Sequence, residues 1–135
     1  MLRSLVGSEM CIRDRYREGL GVKQDYFEAV KWYEKAAEQK LSRAQFNSGN
    51  MYKEGLGVKQ DYSEAIRLYK QSAEQGEAEA QFQLGIMYEN GKGVKQNPFE
   101  AMNWYQKAAN QGHAKAQVFL GLGYAYGVGA KKIRY

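Results

Sequence analysis

From residue 25 onward the apolar positions recur at steps of three and four, in blocks of helix length separated by glycine turns. In the first block Ala29, Val30, Tyr33, Ala36 and Ala37 fall on one face, while Lys31, Glu34 and Lys35 fall elsewhere, the spacing of an amphipathic helix. A second kind of block reads Ala80-Gln81-x-x-Leu84-Gly85-x-Met87-Tyr88 and stops at Gly91. We term the first kind helix B and the second helix A. Start signals agree with the pattern. Asp25 with Glu28, Asp61 with Glu64, and Asn97 with Glu100 have the spacing of a capping box, in which the cap oxygen takes a free N–H and the glutamate reaches back. Pro98 follows its cap residue at the one helical position where a missing N–H is harmless. Gly76 and Gly112 stand where left-handed caps end helix B. The pattern predicts helices over 25–39, 42–54, 61–75, 78–90, 97–111 and 114–126.

These blocks repeat. The letters from Gly55 to Tyr62 also stand at Gly19 to Tyr26 and, slightly changed, at Gly91 to Pro98, each time 36 residues apart. Tyr16, Tyr52, Tyr88 and Tyr124 fall in the same register, as do Tyr33, Tyr69 and Tyr105, and Gln45, Gln81 and Gln117. A period in this range marks a solenoid, in which each unit buries its apolar face only against its neighbours.

The repeating letters, Ala-x-Ala-Gln-x-x-Leu-Gly-x-x-Tyr, then Gly-x-Gly-Val, then Asp and the Trp-Tyr-x-x-Ala-Ala run, resemble the Sel-one-like repeat family, a relative of the tetratricopeptide repeat. The resemblance covers Tyr16 to Gly129. It divides the chain into a partial repeat over 16–41 holding helix B, full repeats over 42–77 and 78–113, and a partial repeat over 114–135 holding helix A and a tail. The fold it implies is all-α, a right-handed α-solenoid of helix-turn-helix units with a tetratricopeptide-like superhelix. The function it implies is a non-catalytic protein–protein interaction scaffold. Leu68 stands where the family has tryptophan, Ser48 where it has leucine, and Lys40 where it has glycine. Lys40 and Ser48 make the junction between the first two units the softest.

Residues 1–15 do not fit the period: Ile12 and Arg13 stand where Leu-Gly would. The stretch from Leu5 to Arg15 resembles a translated sequencing-library sequence, and the segment is read as non-native, with a divergent capping helix as the alternative. On that reading the chain is a fragment of a longer protein, and its compartment, cytoplasmic or periplasmic and secreted, stays open.

Charge changes the picture little. The net +5 is spread over helix surfaces of mixed sign, with no basic stripe for nucleic acid. Lys131-Lys132-x-Arg134 is the one basic cluster. No apolar run approaches the ~18 residues of a membrane span.

Candidate chemistry is sparse. The Gly-x-Gly turn lacks the Gly-Lys-Ser/Thr of a phosphate loop, and its recurrence argues for a structural turn. His113 is the only histidine and Cys11 the only cysteine, so neither a zinc site nor a Cys-His pair is on offer. No catalytic residue, metal or cofactor is expected. Some cysteine-rich relatives in the family are linked to β-lactam binding or hydrolysis. That alternative is disfavoured, since these repeats contain no cysteine. Trp32, Trp104 and the tyrosines at 33, 69 and 105 read as core by their spacing. Gly49, Gly85 and Gly121, each mid-helix, read as sites of close approach to a tyrosine.

One pattern points to a partner. Comparing the three A helices, the packing letters hold while four positions change: Arg43, Asn47, Asn50 and Glu54, then Glu79, Gln83, Ile86 and Asn90, then Lys115, Phe119, Leu122 and Tyr126. They step by four, three and four, so they form one stripe. By resemblance to tetratricopeptide stacks this stripe lines the concave face, where a protein or peptide would lie, with Phe119, Leu122 and Tyr126 as apolar anchors.

Overall fold

The structure is a computed structural model, and it describes residues 24–127. The described chain folds into six α-helices and no strand: α1 Tyr26–Glu38, α2 Ser42–Glu54, α3 Tyr62–Glu74, α4 Ala78–Asn90, α5 Pro98–Asn110 and α6 Ala114–Ala125. Helices α1, α3 and α5 are of the B kind, and α2, α4 and α6 of the A kind. Each packs chiefly on its neighbours in sequence. This is an all-α solenoid of helix-turn-helix repeats. The segment 1–15, Tyr16, the first glycine turn and the basic tail lie outside the described residues.

The B helices start where the sequence places them, but by half a capping box. The Asp25 and Asp61 carboxylates accept from the Glu28 and Glu64 N–H groups at 3.2 and 3.1 Å, and the Asn97 side chain accepts from Phe99 and Glu100. The expected return bond from the glutamate is not made at Asp61 or Asn97. Their backbone N–H groups donate instead to the carbonyls of Tyr52 and Tyr88, 2.9 Å away in the last turn of the preceding A helix. One bond thus satisfies an orphan donor and an orphan acceptor at once, and ties A to B within each unit.

Close approach governs the packing of A on B. A Cβ on Gly49 would lie 2.8 Å from the Tyr69 ring, and one on Gly85 would lie 2.4 Å from the Tyr105 ring. Both tyrosines are buried. Gly121 departs from the expectation, since among the described residues nothing lies within 4 Å of a Cβ placed there and no B helix follows α6. The same end effect corrects the reading of Trp32 as core. Its side chain is 60% exposed, whereas Leu68 at the matching position of α3 is 5% exposed. Among the described residues no A helix precedes α1 to cover it. Trp104 is half-buried and packs on the core that holds Leu84 and Met87.

The junction between the first two units carries all three departures from the repeat. Lys40 takes φ +63, the left-handed conformation that Gly76 and Gly112 supply at the same place in the later units. Ser48 is fully buried with no partner for its hydroxyl among the described residues, where α4 has Leu84. Lys40, Ser48 and Leu68 line one cleft of about 260 Å³. A left-handed residue with a Cβ costs roughly 1–2 kcal/mol, so Lys40→Gly is expected to raise stability by about 0.5–1 kcal/mol after the larger entropy of the unfolded glycine is counted. Urea unfolding of the two proteins checks this.

Candidate protein-binding face

None of the twelve stripe residues is fully buried. Arg43, Glu54, Glu79, Asn90, Lys115, Leu122 and Tyr126 are exposed, and Asn47, Asn50, Gln83, Ile86 and Phe119 are half-buried. Several already have partners within the stack. Arg43 pairs with Glu77 at 2.8 Å, and one unit later Glu79 meets His113 at 3.1 Å. The two pairs occupy the same repeat positions with acid and base exchanged. His113 Nδ1 accepts from the Ala116 N–H, capping α6. The ring proton is thereby placed on Nε2, which donates to Glu79.

The middle of the stripe is tied inward. Asn50 accepts from the Tyr69 hydroxyl, and Gln83 accepts from Lys53 of the preceding A helix at 3.1 Å. Ile86 and Phe119 pack on the cluster of Phe82, Met102 and Tyr105. The Phe119 ring meets Phe82 and Tyr105 edge-on, with centroids 5.2 and 5.5 Å away. Phe119 is therefore partly a core residue. The apolar side chains of the stripe that stay open are Leu122, 50% exposed, and Tyr126, 79% exposed.

A second ladder runs through the junctions. Gln75 donates to Gln45 and Gln111 to Gln81, at 2.6 and 2.9 Å, while Gln81 and Gln117 each donate to the carbonyl eight residues back, Ala73 and Ala109. These amides satisfy one another and a helix-end carbonyl at the junctions between units. The tyrosine hydroxyls do the same. Burial raises the Tyr69 pKa, and burial together with a hydrogen bond to Glu89 raises that of Tyr105. Tyr52, donating to Glu34, is pushed up to about 12, chiefly by that bond. Each is thus a protonated donor at neutral pH.

The sequence reading missed the exchanged pairs at Arg43–Glu77 and Glu79–His113. Their signal was present as opposite-charge letters 34 residues apart, a spacing visible only once the stacking is known. Among the described residues no cluster of three His, Cys, Asp or Glu side chains could hold a metal ion, and no helix is long and apolar enough to cross a membrane.

The sequence profile of the Sel1 repeat matches residues 8–41, 42–77, 78–113 and 114–133. The chain belongs to the Sel1 repeat family. No curated protein matches it. Among solved structures it is similar to a protective antigen of uropathogenic Escherichia coli displaying an SLR fold, with 42% identity and a TM-score of 0.82. It is also similar to a Sel1 repeat protein from Oxalobacter formigenes, with 39% identity and a TM-score of 0.80. Each alignment covers 93% of this chain, which spans 27% of the first protein and 52% of the second. The first match of this Sel1 chain begins at residue 8, inside the stretch 1–15 that the period leaves out.

Proposed function

We propose that the chain is a non-catalytic scaffold that holds a protein or peptide segment along the stripe of α2, α4 and α6, on the concave side of the stack. Membership in the Sel1 repeat family, whose members generally bind proteins, supports this reading. The observation that carries it is the gradient along the stripe. At α2 the exposed groups are Arg43 and Glu54, and at α6 they are Lys115, Leu122 and Tyr126 beside the half-buried Phe119. Repeat proteins must keep their packing faces alike, whereas a surface that reads a partner is free to change. The segment that fits is polar at one end, with one or two aliphatic or aromatic residues over Leu122 and Tyr126. The test is a Leu122→Ala, Tyr126→Ala double variant in pull-down and thermal melting. Capture of the protein retained by the unaltered chain is expected to fall about tenfold or more with the melting temperature nearly unchanged. Unaltered capture would overturn the proposal.

A further inference from the structure

The cleft of about 260 Å³ at the first junction is walled by α1, α2, α3 and the turn at Lys40, and every wall residue belongs to the described chain. One junction later the repeat fills the matching place. Leu68 and Ser48 of the cleft correspond, 36 residues on, to Trp104 and Leu84, and Trp104 packs on the core cluster that contains Leu84. Two large apolar side chains are thus exchanged for smaller ones at a single place, which leaves the cleft. Ser48 is also fully buried, and its hydroxyl has no hydrogen-bond partner among the described residues. Leaving such a group unpaired is unfavourable, so a ligand atom that pairs it gains affinity. A third wall feature suits a ring. Arg67 is held by Glu64 through two Nε bonds of 3.1 Å, and a planar guanidinium stacks on aromatic faces. At the filled junction a cation already does this: Lys107 Nζ lies 5.5 Å from the Trp104 ring centroid.

We propose that this cleft is a binding site for an indole-type ring, a flat aromatic heterocycle that carries an N–H. The ring takes the space that Trp104 and Leu84 fill one unit later, its N–H donates to Ser48 Oγ, and Arg67 lies against its face. The filled junction shows why the serine matters. There leucine stands in its place, and the Trp104 Nε1–H is buried with no partner among the described residues; beside Ser48 the same N–H finds an acceptor. The ring can arrive as a free heterocycle or as a tryptophan side chain of a partner, and the chemistry that recognises it is the same. None of the twelve stripe residues lines the cleft, so its failure would leave the stripe proposal standing.

Isothermal titration calorimetry of the full chain tests this with indole and with benzothiophene, which has a similar shape and no N–H. Indole is expected to bind saturably, one per chain, and about tenfold more tightly than benzothiophene. Two variants locate the site. Leu68→Trp introduces the residue that the next unit carries at this position, and it is expected to weaken indole binding about tenfold or more. Ser48→Ala keeps the space and removes the hydroxyl, so it should weaken indole to the level of benzothiophene and leave benzothiophene unchanged. Melting curves check that both variants stay folded. N-acetyltryptophanamide separates the two sources: competition with indole at equal or higher affinity assigns a partner's side chain, and weaker binding or none assigns a free heterocycle. The proposal is overturned if indole shows no saturable binding, which would leave the cleft to water alone, if Leu68→Trp binds indole as the unaltered chain does, or if Ser48→Ala leaves the preference for indole over benzothiophene intact.

Discussion

Gly85→Ala is expected to destabilise the protein by about 2 kcal/mol or more, while Gly121→Ala leaves it unchanged or stabilises it by up to ~1 kcal/mol. The substitution is identical and both sites are mid-helix, so the helix-propensity gain of alanine over glycine enters both alike. What differs is the neighbour. At Gly85 the new methyl would lie 2.4 Å from a Tyr105 ring that is itself 2% exposed, whereas at Gly121 it meets nothing within 4 Å among the described residues. The ring cannot move aside without displacing Phe82 or Phe119, which touch it. For a domain of this size the gap between the two variants corresponds to roughly 10 °C or more in melting temperature. Equal melting temperatures would show that the tyrosine-on-glycine contact does not set the A-to-B spacing.

The second large effect is at Tyr69, which is fully buried and also the hydrogen-bond donor to Asn50. Tyr69→Ala empties a ring-sized space at the centre of the stack and is expected to cost about 3–5 kcal/mol, the range for removing a large buried ring. The same residue makes stability fall in alkali. Burial raises its pKa above the ordinary tyrosine value of 10.0, and Tyr105 shifts the same way. A raised pKa means that the folded protein keeps a proton the unfolded chain gives up. The stability tied to that proton is complete below about pH 10 and declines as pH rises further, by up to ~1.4 kcal/mol per pH unit for each such group. Tyr69→Phe has no proton to lose there, so its stability should decline less steeply than that of the unaltered protein. Parallel slopes for the two proteins in urea unfolding across this range would contradict the assignment.

The period and the caps carried most of the fold, because a repeat states each structural requirement more than once. Asp61 and Asn97 announce the same helix start, and Gly49 and Gly85 the same close approach. The sequence was least informative where the repetition stops. Trp32 and Gly121 carry the repeat's letters, but burial belongs to the pair of helices and not to the letter, and among the described residues each lacks its pair. The glutamates of the capping boxes misled for a related reason. A local spacing suggested a local bond, and the Tyr52 and Tyr88 carbonyls, brought close by the A-to-B turn, took the donors instead. In the stripe, variability alone could not separate residues that face a partner from residues that vary with their own junction. Arg43 and Glu79 change sign because Glu77 and His113 change with them, and Phe119 varies as part of the core.

The binding proposal is tested most directly by where a captured partner touches the chain. A photo-crosslinking residue is placed singly at Asn90 on α4, at Leu122 on α6, and at Lys107 on α5, all three exposed. The partner retained by the unaltered protein is then irradiated with each variant. A partner held along the A helices gives adducts at Asn90 and Leu122 and none at Lys107. Adducts at Lys107 with none at the two stripe positions would place the partner on the B helices and contradict the proposal.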